Sequence, residues 1–191
     1  LFVQPHMPQS PAPQQQAAQQ AGGQTGQQAA QPGQQAVAPQ EGGRKVLSRD
    51  EALKESPRVS IDNPRVKGSI ALKGSRIDDL VLKEYRETVD PQSANIVLFS
   101  PLDSEHAYYA DFGWISADSK VALPNGETLW QADGDALTPG HPVTLTWNNG
   151  QGLTFARKFE IDTDYMFTVT ETVTNSGGGA VDISPFGRII R

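Results

Sequence analysis

The strongest constraint on the fold is an alternation of apolar and polar residues near the end of the chain. In residues 165–174 the odd positions are mostly apolar, namely Tyr165, Phe167, Val169 and Val173. The even positions are Met166 and threonines. Because successive side chains of a strand point to opposite faces, this period of two predicts a half-buried β-strand.

Two more strands are predicted immediately before this one. Their apolar faces are formed by Val143, Leu145 and Trp147 in the first strand and by Leu153, Phe155, Phe159 and Ile161 in the second. The connections "NNGQG" and "DTD" are short and rich in turn-forming residues. They predict an antiparallel meander of three strands, with Ile161 opposite Tyr165. The "SGGG" at 176–179 is interpreted as the loop of a further hairpin.

The remaining strands are predicted from short runs rich in β-branched and aromatic residues. These runs are "RVSI", "VKGSIALKG", "RIDDLVLKEY", "NIVLFS", "AYYADFGWIS", "ETLWQA" and "AVDISPF". Gly- and Pro-rich breaks separate them, and no helical period appears beyond Pro57. The pattern favours an all-β antiparallel sandwich.

The chain divides into three regions by composition. Residues 1–40 contain no Asp, Glu, Lys or Arg and consist mainly of Gln, Ala, Gly and Pro, so residues 1–45 are predicted to be a disordered linker. Residues 46–57 are predicted to be a short helix or further linker, with Ser48 as N-cap and Glu51 three positions later. Residues 58–191 are predicted to form the β-sandwich domain.

Composition excludes several functions. The net charge is −6, and no cluster of Lys or Arg is present, which argues against nucleic-acid binding. The chain has no cysteine, so disulfides, thiol nucleophiles and Cys-ligated zinc are ruled out. His106 and His141 lie in separate connecting segments without zinc-ligand spacing. We interpret "DGD" and "DTD" as turns rather than calcium loops, and we predict no catalytic, metal-binding or cofactor-binding residue.

The adjacent carboxylates Asp78 and Asp79 raise the question of catalysis. A glycosidase pair must converge to about 5–9 Å across its substrate, whereas neighbouring strand residues point to opposite faces. The apolar run that follows also breaks the alternation. We therefore interpret the pair as a turn or bulge with a structural role.

Aromatic residues are concentrated in "YYADFGW", residues 108–114. Tyr108, Tyr109 and Trp114 are candidates for a cleft that binds sugar or an extended peptide. Tyr108, Phe112 and Trp114 also fall on alternate positions, so packing in the core is the simpler explanation. Both alternatives remain open at this point.

Two charges interrupt otherwise apolar strand faces. Arg157 lies on the apolar face of residues 153–161, and Glu171 lies on that of residues 165–173. With "DTD" as the turn, Arg157 is opposite Val169, and Glu171 is its diagonal neighbour. Because a lone buried charge costs several kcal/mol, we predict an Arg157–Glu171 contact or a solvated cleft at this face.

Several motifs together resemble the large periplasmic domain of bacterial membrane protein insertases of the YidC/Oxa/Alb family. They are "KGSRIDDLVLKEYRETVDP", "IVLFSP", "YYADFGW", "NGQGLTFARKFEIDTDYMFTVTETVTN" and "ISPFGRIIR". They occur in order across residues 58–191. The resemblance implies a β-supersandwich like that of galactose mutarotases. It also implies a place in the bacterial inner membrane for the parent protein, with this portion facing the periplasm.

The resemblance implies a function and partners as well. Proteins of this family aid the insertion and folding of inner-membrane proteins, alone or with the Sec translocon, and the periplasmic domain is associated with SecDF. The short apolar start "LFVQP" would be the exit of a transmembrane helix, and the domain would be truncated at its C-terminal end. A non-catalytic interaction domain is the favoured interpretation, and a carbohydrate-binding or mutarotase-like domain is the alternative.

Overall fold

The computed structural model describes residues 46–191 of the chain. The linker predicted for residues 1–45, with the membrane-helix end before it, lies outside these residues.

One short helix precedes the strands, as the sequence predicts. α1 (Arg49–Ala52) continues into a single 3₁₀ turn, Leu53–Glu55. The Ser48 hydroxyl accepts from the backbone N–H of Glu51, and the Glu51 carboxylate accepts from the backbone N–H of Ser48 at 3.0 Å. This reciprocal capping box satisfies two backbone donors that a helix start leaves unpaired, and Pro57 prevents continuation.

Eleven strands follow in the described part of the chain. They are β1 (Arg58–Asp62), β2 (Val66–Ala71), β3 (Arg76–Arg86), β4 (Asn95–Phe99), β5 (Tyr109–Ile115), β6 (Gln131–Ala132), β7 (Ala136–Leu137), β8 (Val143–Asn148), β9 (Leu153–Ile161), β10 (Phe167–Asn175) and β11 (Ser184–Ile190). One sheet has the order β11-β5-β3-β2-β1-β7, with β4 also paired to β3, and the other has the order β10-β9-β8-β6. All pairings between these strands are antiparallel except β1 with β7.

A single apolar core joins the two sheets. Strand β9 alternates between buried and half-buried residues along its whole length, as its period of two predicts. Its buried residues Phe155 and Phe159 belong to the same cluster as Ile61 and Ile70 of the first sheet. Each fully buried side chain of this kind contributes about 1.5–3 kcal/mol. The predicted all-β antiparallel sandwich is therefore confirmed.

The predicted meander β8-β9-β10 is present, but the register of its last pair differs from the prediction. Ile161 is opposite Phe167, and Tyr165 lies outside the strand. The reason is a longer turn, in which the Asp162 carboxylate accepts from the backbone N–H groups of Asp164 and Met166 at 2.8 and 3.0 Å. The turn thus takes up two more residues on the β10 side than "DTD" alone would.

The "SGGG" segment is not the loop of a hairpin. β10 and β11 belong to different sheets, so residues 176–183 form a crossover connection between them. The connection is held at its start, where the backbone N–H of Ser176 donates to the carbonyl of Gly152 at 2.8 Å. Of the predicted run "AVDISPF", only the last three residues belong to a strand, β11, which continues to Ile190.

Candidate functional site

Arg157 lies at the centre of the candidate site. It projects from β9 directly opposite Glu171 of β10 and is only 1% exposed. Its Nε donates to Glu171 Oε1 at 2.8 Å, and its Nη2 lies 2.7 Å from the same oxygen. The predicted Arg157–Glu171 contact is confirmed, although the two residues are direct rather than diagonal neighbours because of the register described above.

Aromatic rings surround the rest of the Arg157 guanidinium. Its Cζ lies 5.2 Å from the ring centroids of both Trp114 and Trp130, and 5.4 Å from that of Phe112. Its Nη1 donates to the backbone carbonyl of Ser75 at 3.1 Å. Cation–π attraction and this hydrogen bond replace part of the water that the guanidinium gives up.

Burial shifts the pKa of both members of the pair toward the neutral form. Desolvation raises the pKa of Glu171 above its usual range, and the attraction of Arg157 opposes that rise. Desolvation likewise lowers the pKa of Arg157, opposed by Glu171 and Asp111. A guanidinium remains protonated in proteins, so Arg157 keeps its positive charge at neutral pH.

A cavity of about 270 Å³ opens beside Arg157. Trp114, Trp130 and Arg157 line it, together with Arg76 of β3 and Arg188 of β11. The indoles of Trp114 and Trp130 are stacked, with centroids 6.2 Å apart and planes inclined by 24°. The result is a cleft with aromatic walls and guanidinium groups, which we call the arginine cleft.

Asp111 connects two of these guanidinium groups. The Asp111 carboxylate is buried and accepts from Nε and Nη2 of Arg188 at 3.0 and 2.8 Å. Nε of Arg76 lies 3.7 Å from its other oxygen, a distance that allows charge attraction but no hydrogen bond. One carboxylate thus holds two arginines at the edge of the cleft.

Two glycines leave the space that the cleft needs. A Cβ on Gly126 would collide with Nη2 of Arg76, and a Cβ on Gly113 would come within 2.8 Å of the Phe186 ring. Gly113 is opposite Phe186 in the β5–β11 register. The absence of a side chain at these positions therefore lets Arg76 and Phe186 lie against the backbone.

The five predicted cleft residues do not all meet. Trp114, Arg157 and Glu171 lie together, with Trp114 and Arg157 lining the arginine cleft. Tyr108 instead lines a separate cavity of about 790 Å³ that also contains His106. Tyr109 is buried, with the Arg76 guanidinium 5.7 Å from its ring centroid.

Core packing accounts for much of the aromatic cluster. Trp114 is buried in the core, and Tyr108 and Phe112 pack against it. The Phe112 ring meets that of Phe159 edge-on at 6.3 Å. The spacing by two therefore indicates the packing correctly, and for Trp114 it coincides with a place in the cleft.

The carboxylates of Asp78 and Asp79 are bound by arginines. Ser69 of β2 is opposite Asp79, whereas the next residue, Ile70, is opposite Ile77, so Asp78 is the extra residue of a β-bulge. Asp78 forms an ion pair with Arg58, and Asp79 pairs with Arg49 and accepts from the Ser69 hydroxyl at 2.6 Å. The predicted bulge is confirmed.

Among residues 46–191, neither histidine is a hydrogen-bond or ion-pair partner of these carboxylates, although His106 lines the same cavity as Arg49. His106 belongs to the loop before β5, and His141 closes a tight turn, its Nδ1 lying 3.3 Å from the Thr138 hydroxyl. Within residues 46–191, no group of three or more His, Asp or Glu residues is placed to hold a metal ion. Asp133 of "DGD" accepts from the backbone N–H of Thr144 at 2.7 Å, a bond that continues the pairing of β6 with β8.

Sequence reasoning missed Arg76, Trp130 and Arg188. Arg76 begins a strand and Arg188 follows a glycine, positions where a solvated charge is ordinary. Trp130 was part of the run "ETLWQA", of which only Gln131–Ala132 forms a strand. Trp130 lies beside Arg157 only in the folded chain, so its role could be inferred only by knowing which sheet each strand joins.

Fold and cleft define an all-β sandwich domain whose central polar feature is a buried arginine held between indoles. Residues 58–191 match the family model of the YidC periplasmic domain. Similar curated proteins are the membrane protein insertases YidC of Methylobacterium nodulans, 55% identical over 146 residues, and of Bradyrhizobium diazoefficiens, 52% identical over 148 residues. A third, from Caulobacter sp. strain K31, is 51% identical over 146 residues.

The chain belongs to the YidC periplasmic domain family. Each of the three alignments covers 76% of this chain but only 23–24% of the relative, so the chain spans about a quarter of their length. YidC proteins with this domain are inner-membrane proteins. Among the described residues, no helix is long and apolar enough to cross a bilayer.

Proposed function

We propose that this chain is a non-catalytic protein-interaction domain of a membrane protein insertase, located in the bacterial inner membrane and facing the periplasm. The insertase would aid the insertion and folding of nascent inner-membrane proteins. The family membership and the printed names of the relatives support the insertase role. SecDF and the Sec translocon are the proposed partners of the domain.

One observation carries the non-catalytic part of the proposal. Four buried or half-buried carboxylates are each bound to a guanidinium: Asp78 to Arg58, Asp79 to Arg49, Asp111 to Arg188 and Glu171 to Arg157. A mutarotase-like reaction needs a histidine and a carboxylate that converge on the same sugar. In the described part of the chain, neither histidine is a hydrogen-bond or ion-pair partner of these carboxylates, although His106 lines the same cavity as Arg49.

Interaction through a strand edge has structural support. β10 pairs only with β9, and β11 pairs only with β5, so the outer edge of each is without a strand partner among residues 46–191. Ile189 of β11 is 65% exposed. An unpaired edge presents backbone donors and acceptors to which an extended partner segment can add.

A turnover assay distinguishes this proposal from the carbohydrate-processing alternative. The intact protein should show no epimerase or glycosidase turnover on hexoses, and the His106→Ala and His141→Ala variants should behave identically. Hexose turnover lost in either variant would overturn the non-catalytic role.

Co-purification tests the proposed partner. SecDF should be retained on the intact, tagged protein in mild detergent and lost when residues 58–191 are deleted. Equal retention after the deletion would show that the contact lies elsewhere in the protein. Such a result would leave the turnover assay unaffected, so the two parts of the proposal are tested separately.

A further inference from the structure

The chain contains the dipeptide Asn-Gly twice, at Asn125–Gly126 and at Asn149–Gly150. Asparagine is a thermolabile residue, because the backbone nitrogen of the next residue can attack its side-chain amide. A glycine in the next position has no side chain to hinder that attack. The structure places the two dipeptides in different surroundings, so we expect their reactivities to differ.

The dipeptide Asn149–Gly150 is held at both of its reacting groups. The Asn149 side chain is half-buried; its Oδ1 accepts from the backbone N–H of Leu153 at 3.0 Å, and its Nδ2 donates to the Ala122 carbonyl at 3.1 Å. The backbone N–H of Gly150 donates to Asn148 Oδ1 at 2.7 Å. These hydrogen bonds must break before the Gly150 nitrogen can attack the Asn149 amide, so the folded chain protects this dipeptide.

The dipeptide Asn125–Gly126 lacks both restraints. Asn125 is exposed, and within residues 46–191 neither its Nδ2 nor the backbone N–H of Gly126 donates a hydrogen bond to the protein. Its Oδ1 accepts from the backbone N–H of Glu127 at 2.9 Å, an Asx turn that folds the side chain back along the following peptide. The same turn is present at Asn149, so the two sites differ in their donor groups.

A positive charge lies beside the unrestrained dipeptide. Nη2 of Arg76 donates to the Gly126 carbonyl at 3.3 Å, and a Cβ on Gly126 would collide with the same nitrogen. Attack requires the Gly126 amide to give up its proton, and a nearby cation stabilises both the amide anion and the oxyanion that forms next. A Cβ on Gly150, by contrast, would meet nothing within 4 Å. The charge of Arg76 therefore also favours reaction at Asn125.

We propose that Asn125 is a site of spontaneous deamidation, with water as the only co-reactant. The Gly126 nitrogen forms a bond to Cγ of Asn125, the bond from Cγ to Nδ2 breaks, and the amide proton passes through solvent to the departing ammonia. Water then opens the five-membered imide at either carbonyl and leaves aspartate or isoaspartate. No group is oxidised or reduced. The inference goes beyond the proposed interaction role and does not rest on it.

The reaction changes the charge of the arginine cleft. Asn125 and Gly126 line this cleft together with Arg76, Arg157 and Arg188. The product has a carboxylate where the amide stood, so it adds one negative charge to a wall that contains three guanidinium groups. Deamidation at Asn149 would leave the wall of this cleft unchanged, since Asn149 is not among the residues that line it.

The test follows both asparagines in the intact, folded protein. Samples are kept in mildly alkaline buffer at physiological temperature, and tandem mass spectrometry of the digested protein measures the acid form at each position. A sample digested at once corrects for deamidation during digestion. Asn125 should convert at least about tenfold faster than Asn149. Equal rates, or faster conversion of Asn149, would overturn the proposal.

The unfolded chain and one variant are the matched controls. In concentrated urea the hydrogen bonds around Asn149 are lost, so the two dipeptides should react at rates within about threefold of each other. Asn148→Ala removes the acceptor of the Gly150 N–H at an exposed position, so it should accelerate conversion of Asn149 at least about threefold and leave Asn125 unchanged. A tenfold difference that persists in urea, or no acceleration in Asn148→Ala, would refute the structural explanation.

Arg76→Gln tests the contribution of the charge. An electrostatic role predicts slower conversion of Asn125, whereas the loss of a merely structural contact would loosen the loop and speed the reaction. Faster conversion in a variant that circular dichroism shows to be folded would therefore overturn the role of Arg76. The comparison of Asn125 with Asn149 in the wild type does not depend on this variant. No Sec component takes part in the experiment, so its failure and failure of the proposed function are distinguishable.

Discussion

Replacement of Arg157 by methionine tests the energetic role of the buried arginine most sharply. Methionine retains much of the apolar stem of the side chain and removes the charge. The variant loses the contacts of the guanidinium with Glu171 and with the Ser75 carbonyl. It also loses the cation–π contacts with the surrounding rings.

The size of the effect follows from these contacts. Breaking a buried ion pair from one side costs about 3–5 kcal/mol, because the other charge remains without a partner. Methionine recovers about 1 kcal/mol through apolar contacts and relieves the desolvation of the guanidinium. We therefore expect Arg157→Met to lower the free energy of unfolding by about 2–4 kcal/mol.

A double variant separates the charge from the packing. Arg157→Met combined with Glu171→Leu removes both charges, and we expect its stability to return to within about 1 kcal/mol of the wild type. Urea denaturation followed by far-UV circular dichroism measures both variants. The reasoning is refuted if Arg157→Met is within about 0.5 kcal/mol of the wild type, or if the double variant is less stable than the single one.

Three further predictions concern the first sheet and the helix. A Cβ on Gly68 would collide with the Asp79 carbonyl at the bulge, so Gly68→Ala should lower the free energy of unfolding, measured by urea denaturation, by about 1–3 kcal/mol. The control Gly178→Ala, with open space around it, should lower it by under about 1 kcal/mol. Desolvation, opposed by Arg58, raises the pKa of Asp78 above 3.8, so the folded state holds this proton more tightly than the unfolded state. The stability of the wild type relative to Asp78→Asn should therefore fall as the pH rises through the folded pKa. Urea denaturation at about pH 4 and pH 7 should show the larger relative stability at the lower pH. A change of opposite sign would contradict the dominance of desolvation. Ser48→Ala removes the capping box and should cost about 1 kcal/mol, with faster amide exchange confined to residues 49–55.

Strands with a clear alternation were predictable, and those defined by distant partners were not. β9 was predicted to the residue, because apolar side chains recur at every second position from Leu153 to Ile161, interrupted only by Arg157. β7 has only two residues and exists because it pairs in parallel with β1, far away in sequence. No local pattern encodes such a pairing.

Turn chemistry limited the prediction of register and of sheet assignment. "DTD" suggested a tight turn, but the Asp162 carboxylate caps two backbone N–H groups and lengthens the turn. "SGGG" has the composition of a hairpin loop, yet the strands on either side of it belong to different sheets. Composition indicates that the chain turns, and only long-range packing determines where the next strand goes.

The candidate site was predictable where a residue violated its surroundings. Arg157 and Glu171 stood out because each puts a charge on an apolar strand face, and a partner was required. Arg76 and Arg188 violate nothing in their local sequence, so their convergence on Asp111 depends on the β3-β5-β11 order. The sequence therefore predicts the buried ion pair at the centre of the cleft, but not the arginines at its edge.

Site-specific photo-cross-linking in living membranes tests the central claim, that this domain binds partner proteins through the β11 edge, most directly. A photoreactive residue replaces Ile189 on β11 or, as the control, the fully exposed Val89 in the loop between β3 and β4. The account predicts cross-links to a periplasmic segment of a Sec component or of a nascent membrane protein from position 189, and few from position 89. Equal cross-linking from both positions, or cross-linking from position 89 alone, would contradict it.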